Sequence, residues 1–224
     1  MRSNSIRLAA ALLLALLDSG MAAAQKMFVL EKDSIPLFRG VTVMADVVGP
    51  AQLLLSDYGQ WEAAVRVNLH DQWFPIVELG YGKASHTDDD LTGISYRTKA
   101  PFFRLGCDFN ILRQKHSPYL LYIGARYAFT AYNFSIDRQP FPDPVWQWDT
   151  SYGVADEAGR MHWLELVFGL DARVAGPLRM GWSARFRRRL HHNDISTGNT
   201  WYVPGFGIYG TTRLAATFNI GLEF

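Results

Sequence analysis

The sequence is poor in cysteine and almost free of net charge. Cys107 is the single cysteine among 224 residues, so no intramolecular disulfide can form. It also lies far from the N-terminal stretch, where a lipid-anchored protein would need it. The 22 basic and 21 acidic residues leave a formal net charge of +1. A disulfide, a lipid anchor and a nucleic-acid partner are therefore not expected.

The chain also lacks a long apolar run beyond its first residues. Arg2 and Arg7 precede a short apolar run from Leu8 to Leu17, and the small residues Ala22–Ala24 follow it. This order is typical of a secretory signal peptide, predicted at residues 1–24 with cleavage after the last of them. The run is too short for a membrane helix, which needs roughly 20 apolar residues. The exported chain is therefore expected to be periplasmic, secreted or a membrane barrel.

A period of two runs through the rest of the sequence. From Leu214 to Phe224 the even-numbered residues are all apolar, whereas the odd-numbered ones are charged, polar or small. Strict alternation is typical of a strand between two unlike environments, and about a dozen tilted residues can cross a bilayer. The same test predicts eight strands, at about 38–48, 59–70, 74–84, 95–109, 118–133, 161–174, 178–189 and 211–224.

The predicted connections alternate between short and long. The short ones fall at 70–73, 110–117 and 175–177, and the long ones at 49–58, 85–94, 135–160 and 190–210. Short periplasmic turns and long outer loops are typical of bacterial outer-membrane barrels, whose strand number is even. The sequence therefore predicts an all-β, eight-stranded antiparallel transmembrane β-barrel at residues 37–224, after a periplasmic segment at 25–36.

The glycines and charges indicate which strand face is turned toward lipid. A soluble barrel would have the same alternation with its apolar face inside. The polar face is rich in glycine, which weakens an exposed strand but relieves crowding inside a narrow barrel. Acids and arginines on that face are balanced, as a filled lumen of paired charges requires. Besides Asp46, the predicted lumen charges are Glu62, Arg66, Glu78, Arg104, Asp108, Arg126, Glu165, Asp171, Arg173, Arg185, Arg187, Arg213 and Glu223.

Four segments and the last strand carry a family resemblance. The segments are "IPLFRGV" at Ile35–Val41, "VGPAQLLLSDYGQWEAAVRVNL" at Val48–Leu69, "LGCDFN" at Leu105–Asn110 and "WYVPGFG" at Trp201–Gly207. They resemble an uncharacterised family of small outer-membrane β-barrel proteins of Gram-negative bacteria. The strand ending on Phe224 resembles the signal that such barrels present to the barrel insertion machinery, an expected partner. The resemblance implies an outer-membrane location and carries no known activity or site.

An arginine-rich run ends the seventh predicted strand. If both chain ends are periplasmic, the alternation places Arg188 on the lipid side near the outer rim. Guanidinium groups make multidentate hydrogen bonds with phosphates, so Arg188 is a candidate contact for lipopolysaccharide. Snorkelling of the side chain and packing in the lumen are the alternatives. Outer-membrane lipids, lipopolysaccharide among them, are thus expected partners.

The predicted loop at 135–160 combines several prolines with Trp146 and Trp148. A stiff, aromatic and acidic loop outside the cell could recognise a protein or a sugar, since exposed loops on a rigid scaffold often carry recognition. It could equally fold as a lid over the mouth of the barrel. The sequence leaves both open.

Three classes of function are compatible with such a barrel. A structural or surface-interaction role without catalysis is favoured; a lipid A modifying enzyme and a narrow channel are the alternatives. His162 and Glu165 invite comparison with lipid A modifying barrels, but a spacing of three places them on opposite strand faces. A narrow lumen with balanced charges argues against a channel. No catalytic residue, metal site or cofactor is predicted.

Overall fold

The computed structural model describes residues 35–87, 93–142, 145, 148–193, 195 and 200–224. The predicted signal peptide lies outside the described residues, as does most of the segment at 25–36. Among the described residues, no helix combines the length and the apolar character needed to cross a bilayer.

Eight strands form a closed antiparallel barrel, and two short strands, β8 Tyr202–Val203 and β9 Gly207–Ile208, pair with each other. The barrel strands are β1 Phe38–Asp46, β2 Tyr58–Leu69, β3 Trp73–His86, β4 Ile94–Asn110, β5 Tyr119–Pro142, β6 Asp149–Ala175, β7 Leu178–His192 and β10 Thr212–Glu223. Each barrel strand pairs with the next one along the chain, and β10 closes the ring against β1. The predicted eight-stranded antiparallel barrel is confirmed. We call the end where β1 begins and β10 finishes the terminal end, and the opposite end the far end.

Burial alternates along the strands, as the period of two predicts. Arg104 has no exposed surface, whereas its neighbour Leu105 is 52% exposed. In β6, Glu165 is 1% exposed and Leu166 is 59% exposed. Apolar side chains therefore cover the outside of the barrel and charged side chains fill its inside, the reverse of a soluble protein.

The seam between β1 and β10 covers only part of β10. Thr42 pairs with Glu223, and the register runs to Asp46 opposite Asn219. At the terminal end, Phe224 exchanges backbone hydrogen bonds of 2.8 and 2.9 Å with Val41. Because β1 ends at Asp46, the part of β10 before Phe218 continues toward the far end without a β1 partner.

A helix occupies the predicted loop at 49–58. Helix α1 spans Val48–Leu55 and follows β1 directly. The Asp46 carboxylate accepts the backbone N–H groups of Val48 at 3.2 Å and Gly49 at 2.7 Å. These are donors that the first turn of a helix leaves unpaired, so Asp46 sets where α1 begins. A test for alternation alone cannot detect this helix.

The predicted loop at 135–160 is mostly strand. β5 runs to Pro142 and β6 starts at Asp149, so the two form a long hairpin at the far end. Its ladder contains irregularities between Phe134 and Ile136 and between Arg138 and Phe141. Such irregularities let a strand pass residues that cannot pair, such as proline. The prolines there therefore did not exclude a strand.

Candidate functional site in the barrel lumen

The centre of the lumen is an ion-pair network around Arg104. One of its terminal nitrogens lies 2.6 Å from Glu62 and 2.9 Å from Glu78, and its Nε lies 3.0 Å from Glu165. These side chains come from four different strands and are buried. A single guanidinium thus ties opposite sides of the barrel wall together.

Three more arginines extend this network. Arg126 lies 2.6 Å from Glu78 and 3.1 Å from Asp108, and Arg185 lies 2.7 Å from Glu78. Arg187 lies 3.1 Å from Glu165 on the far-end side. Four arginines therefore contact four carboxylates, and the formal charges cancel. Removing one member would leave an uncompensated buried charge, which is strongly destabilising.

A second cluster fills the lumen toward the terminal end. Asp171 lies 2.8 Å from Arg66 and 2.5 Å from Arg179, and Arg179 also reaches Glu223 at 3.1 Å. The Arg66 guanidinium lies 5.4 Å from the centroid of the Phe74 ring, a cation–π contact. The sequence prediction omitted Arg179, although it shares the odd-numbered inward face of its strand with Arg185.

Arg173 is the one predicted lumen charge that the structure places at the rim. Its side chain is 49% exposed and lies 2.5 Å from Glu223. The β6–β7 ladder shifts register between Arg173 and Ala175, where β6 ends. Arg173 still pairs in register with the inward-facing Arg179, so its side chain is exposed because it lies at the open end of the lumen.

A short hairpin enters the lumen from the far end. It consists of β8, β9 and the turn between them, and we call it the plug hairpin. Phe206 at its tip is fully buried, with its ring edge-on to Trp163 at 5.8 Å between centroids. Arg104 donates to the Gly205 carbonyl at 2.9 Å, and Arg187 donates to the Phe206 carbonyl at 2.9 Å. The central network thus holds the hairpin as well as the wall.

The plug hairpin turns through Pro204 and Gly205. The Phe206 N–H donates to the Val203 carbonyl at 3.0 Å, and Gly205 has φ +82°. Proline followed by a glycine with positive φ is the signature of a type II turn. The tip lies close to the wall, since a Cβ added at Gly82 would lie 2.8 Å from Pro204 Cα. The Val-Pro-Gly-Phe sequence was the signal that could have revealed this turn.

A family model covers almost the whole chain. It is described as "Domain of unknown function (DUF6048)" and matches residues 5–224. The chain belongs to the DUF6048 family. The resemblance to an uncharacterised family is thereby confirmed. No curated protein matches this DUF6048 member in sequence.

Solved structures of bacterial outer-membrane proteins resemble this DUF6048 barrel. Neisserial surface protein A (NspA) has a TM-score of 0.42 and 13% identity, over 84% of this chain and 99% of that one. A major outer membrane protein from Thermus thermophilus has a TM-score of 0.39 and 15% identity, over 82% and 98%. CarO2 from Acinetobacter baumannii has a TM-score of 0.39 and 12% identity, over 85% and 99%. With values this low, none of them transfers an activity or a partner to this chain.

The predicted surface sites of the DUF6048 barrel lie at the far end. Arg188 is exposed on the outer face of β7, opposite Thr212 of β10. Trp148 is exposed beside the start of β6, whereas Trp146 lies outside the described residues. Of the two predicted tryptophans, the described structure therefore places only Trp148 on the surface. Within the described residues, the plug hairpin enters the mouth of the barrel, which a lid formed by the long loop was one of two predicted ways to cover.

Arg213 supports the plug hairpin from the far-end side. It is half-buried and donates from Nε to the Ile208 carbonyl at 2.5 Å and from Nη2 to the Tyr209 carbonyl at 2.7 Å. No carboxylate of the described residues lies within 4.0 Å of its guanidinium. Its charge is thus held by carbonyl dipoles rather than by an acid.

His162 and Glu165 lie on opposite sides of the barrel wall, as their spacing of three predicts. Glu165 is buried in the lumen, whereas the His162 ring contacts Tyr127 and Phe129 on the other face. Among the described residues, no three His, Cys, Asp or Glu side chains are placed to hold a metal ion. The three consecutive acids Asp88–Asp90, a weak sequence signal for a divalent ion, lie outside the described residues.

A polar cluster around Asp71 lines the terminal end of the lumen. Its carboxylate lies 2.7 Å from His116 and 3.2 Å from Arg39, and Asn68 donates to it at 2.6 Å. Burial raises the pKa of Asp71, but the hydrogen bonds from His116 and Asn68 and the charge of Arg39 outweigh it, so the pKa lies below its ordinary value. The ionised carboxylate therefore holds the β2–β3 turn to the neighbouring loop.

Proposed function

We propose that this protein is an outer-membrane barrel with a lumen closed to solutes, which acts through its lipid-facing wall and its far-end surface. The terminal end would then face the periplasm and the far end the cell exterior. The role is structural or one of surface interaction, with outer-membrane lipids, lipopolysaccharide among them, as partners. The predicted signal peptide and the apolar outer wall support this location.

The observation that carries the proposal is the double closure of the lumen. The central network around Arg104 spans the middle, and the plug hairpin with Phe206 lies above it. An eight-stranded barrel is only wide enough for its own side chains to fill it. A narrow channel would need this network to part, which would expose uncompensated charges. A lipid A modifying enzyme has no support from His162 and Glu165, because they lie on opposite sides of the wall.

Two measurements test the proposal. Membranes are separated by density, and the tagged chain should sediment with the outer-membrane fraction. The purified barrel is then reconstituted in planar bilayers, where no discrete conductance steps are expected. A variant lacking residues 200–209 should also fail to conduct, since the ion network still fills the lumen below the plug hairpin. Recovery in the inner membrane, or stable conductance by the unaltered barrel, would overturn the proposal.

A further inference from the structure

The barrel wall has an open strand edge at the far end of the β1–β10 seam. The Val47 N–H donates to the Phe218 carbonyl at 2.9 Å, and the Phe218 N–H donates to the Asp46 carboxylate at 3.1 Å. Because pairing directions alternate along a strand, the backbone groups of Ala216 and Leu214 point to the same edge as those of Phe218. No strand of the described residues pairs with this edge between 212 and 217.

An unpaired strand edge at membrane depth is unfavourable if only lipid chains surround it. Backbone groups without hydrogen-bond partners are strongly unfavourable in lipid. Irregular or unpaired backbone occurs at membrane depth only where it is covered by protein or lines a cavity. The edge at Ala216 and Leu214 therefore needs hydrogen-bonding groups beside it, either from water in a cavity or from the polar groups of a bound molecule.

A cavity of about 620 Å³ lies at this edge, and we call it the lateral pocket. Helix α1 forms one side of it, β10 the other, and the plug hairpin its inner end. Leu214 and Ala216 on the outer face of β10 line it together with Ala215 and Thr217 on the inner face. Since both faces of one strand line it, the pocket passes around the edge from the outer surface to the plug hairpin.

The lining is apolar near the surface and cationic further in. Leu55 of α1 and Leu214 flank the entrance, and both are strongly exposed. Of the charged lining groups, the Asp46 carboxylate accepts three backbone N–H groups and Arg187 is paired with Glu165. The Arg213 charge has no acid of the described residues within 4.0 Å. A lipid with an apolar chain against the two leucines and polar groups toward Arg213 complements this lining.

The outer surface beside the pocket is basic as well. Arg188 is exposed on β7 directly opposite Thr212, on the same outward face of the wall as Leu214. Guanidinium groups bind phosphates through multidentate hydrogen bonds. A lipid whose chain enters the lateral pocket can therefore place a phosphate at Arg188.

We propose that the lateral pocket binds an acyl chain of lipopolysaccharide against Leu55 and Leu214, with the phosphorylated headgroup at Arg188 and the polar linkage of the chain at the open edge near Arg213. This inference rests on the proposed outer-membrane location, in which the far end lies in the outer leaflet. The pocket binds its lipid and does not conduct it, because the plug hairpin and the ion network close the lumen behind it.

Matched tryptophan substitutions test the pocket. Ala216→Trp fills it, whereas Ala184→Trp places the same bulk on the neighbouring strand, directly opposite in register and outside the lining. A second pair lies on α1, where Leu55 lines the pocket and Leu54 does not, with exposures of 87% and 88%. Leu55→Trp and Leu54→Trp thus act at equally exposed positions, so both variants are expected to fold.

The readout is the lipid that co-purifies with the barrel from outer membranes in mild detergent. Mass spectrometry quantifies lipid A and phospholipid, and heat-dependent mobility in gels verifies the fold of each variant. We expect near-stoichiometric lipopolysaccharide on the unaltered barrel, Ala184→Trp and Leu54→Trp, and several-fold less on Ala216→Trp and Leu55→Trp. Arg188→Gln should also lower the retained amount.

Each other outcome contradicts a specific step. Equal retention within both tryptophan pairs would show that lipid binds elsewhere on the wall. Phospholipid in place of lipopolysaccharide would refute the stated occupant. Recovery of the chain outside the outer membrane would overturn the proposed function. Absence of lipopolysaccharide from the unaltered barrel, with its outer-membrane location intact, would overturn only the lateral pocket.

Discussion

The Asp46 carboxylate accepts the Phe218 N–H at 3.1 Å, at the point where the pairing of β1 with β10 ends. The same carboxylate accepts two N–H groups at the start of α1. One side chain therefore joins β1, the helix and the last strand. This junction sets where the open edge of β10 begins.

Replacing Asp46 with alanine should loosen this junction. The change removes charge-assisted acceptors from three N–H groups, and we expect a loss of about 2–3 kcal/mol in the free energy of unfolding. Asp46→Asn keeps one acceptor oxygen, so its stability should lie between those of the alanine variant and the unaltered barrel. Urea unfolding of the refolded barrel in detergent measures the difference. An alanine variant as stable as the unaltered barrel would show that the carboxylate has no structural role.

Glu78→Gln tests the central ion network. Glu78 contacts Arg104, Arg126 and Arg185, so the variant leaves one buried positive charge without a counter-charge. We expect a destabilisation of about 3–5 kcal/mol in chemical unfolding. The control is Arg173→Gln at the exposed rim, where the loss of an ion pair should cost under about 1 kcal/mol. Equal effects of the two variants would argue that the network does not bear on stability.

Gly205→Ala tests how the plug hairpin is seated. A Cβ at this position would lie 2.5 Å from Phe102 Cγ, and the backbone has a positive φ. Gly207 also has a positive φ, but a Cβ there would meet no atom within 4 Å, so Gly207→Ala measures the backbone strain alone. We expect much faster protease cleavage within 200–209 for Gly205→Ala than for Gly207→Ala. Similar cleavage of both would mean that contact with Phe102 does not hold the hairpin.

Leu166→Arg tests which face of the wall meets lipid. Leu166 points outward between Ala125 and Phe186 on the neighbouring strands. An arginine near the middle of the bilayer costs about 2–4 kcal/mol on the lipid face of a barrel. Trp148→Arg, beyond the barrel wall at the far end, should change the unfolding free energy little. A Leu166→Arg barrel that is as stable as the unaltered barrel in lipid vesicles would contradict a lipid-facing wall.

The Asp71 cluster predicts a dependence on acid. The pKa of Asp71 is lower in the folded barrel than its ordinary value of 3.8, so the ionised carboxylate stabilises the fold above that value. This contribution is lost as the pH falls through the lowered pKa. Asp71→Asn should therefore be less stable than the unaltered barrel above the ordinary pKa of 3.8, and the difference should disappear as the pH falls below the lowered pKa of Asp71. Thermal unfolding of both proteins measures this difference in stability. A difference that persists in acid would show that it does not come from ionisation of Asp71.

The sequence determined the strands, their faces and most of the lumen charges. Side chains alternate across a strand, so residues an even number apart, such as Leu214 and Phe224, lie on one face. The same rule would have placed Arg179 inside had it been followed back to the start of β7. The rule does not say how far along the lumen a side chain lies, which is why Arg173 was predicted inside although it lies at the open terminal end.

Only the tertiary structure decided which charges meet and where the wall is open. Glu78 contacts Arg185 across 107 positions of sequence, because closure of the ring brings distant strands to one axis. Insertion of the plug hairpin depends on the space left by Gly82 and on carbonyl contacts to Arg104 and Arg187. The lateral pocket follows from the unequal lengths of β1 and β10, a property of their pairing that neither strand's own sequence shows.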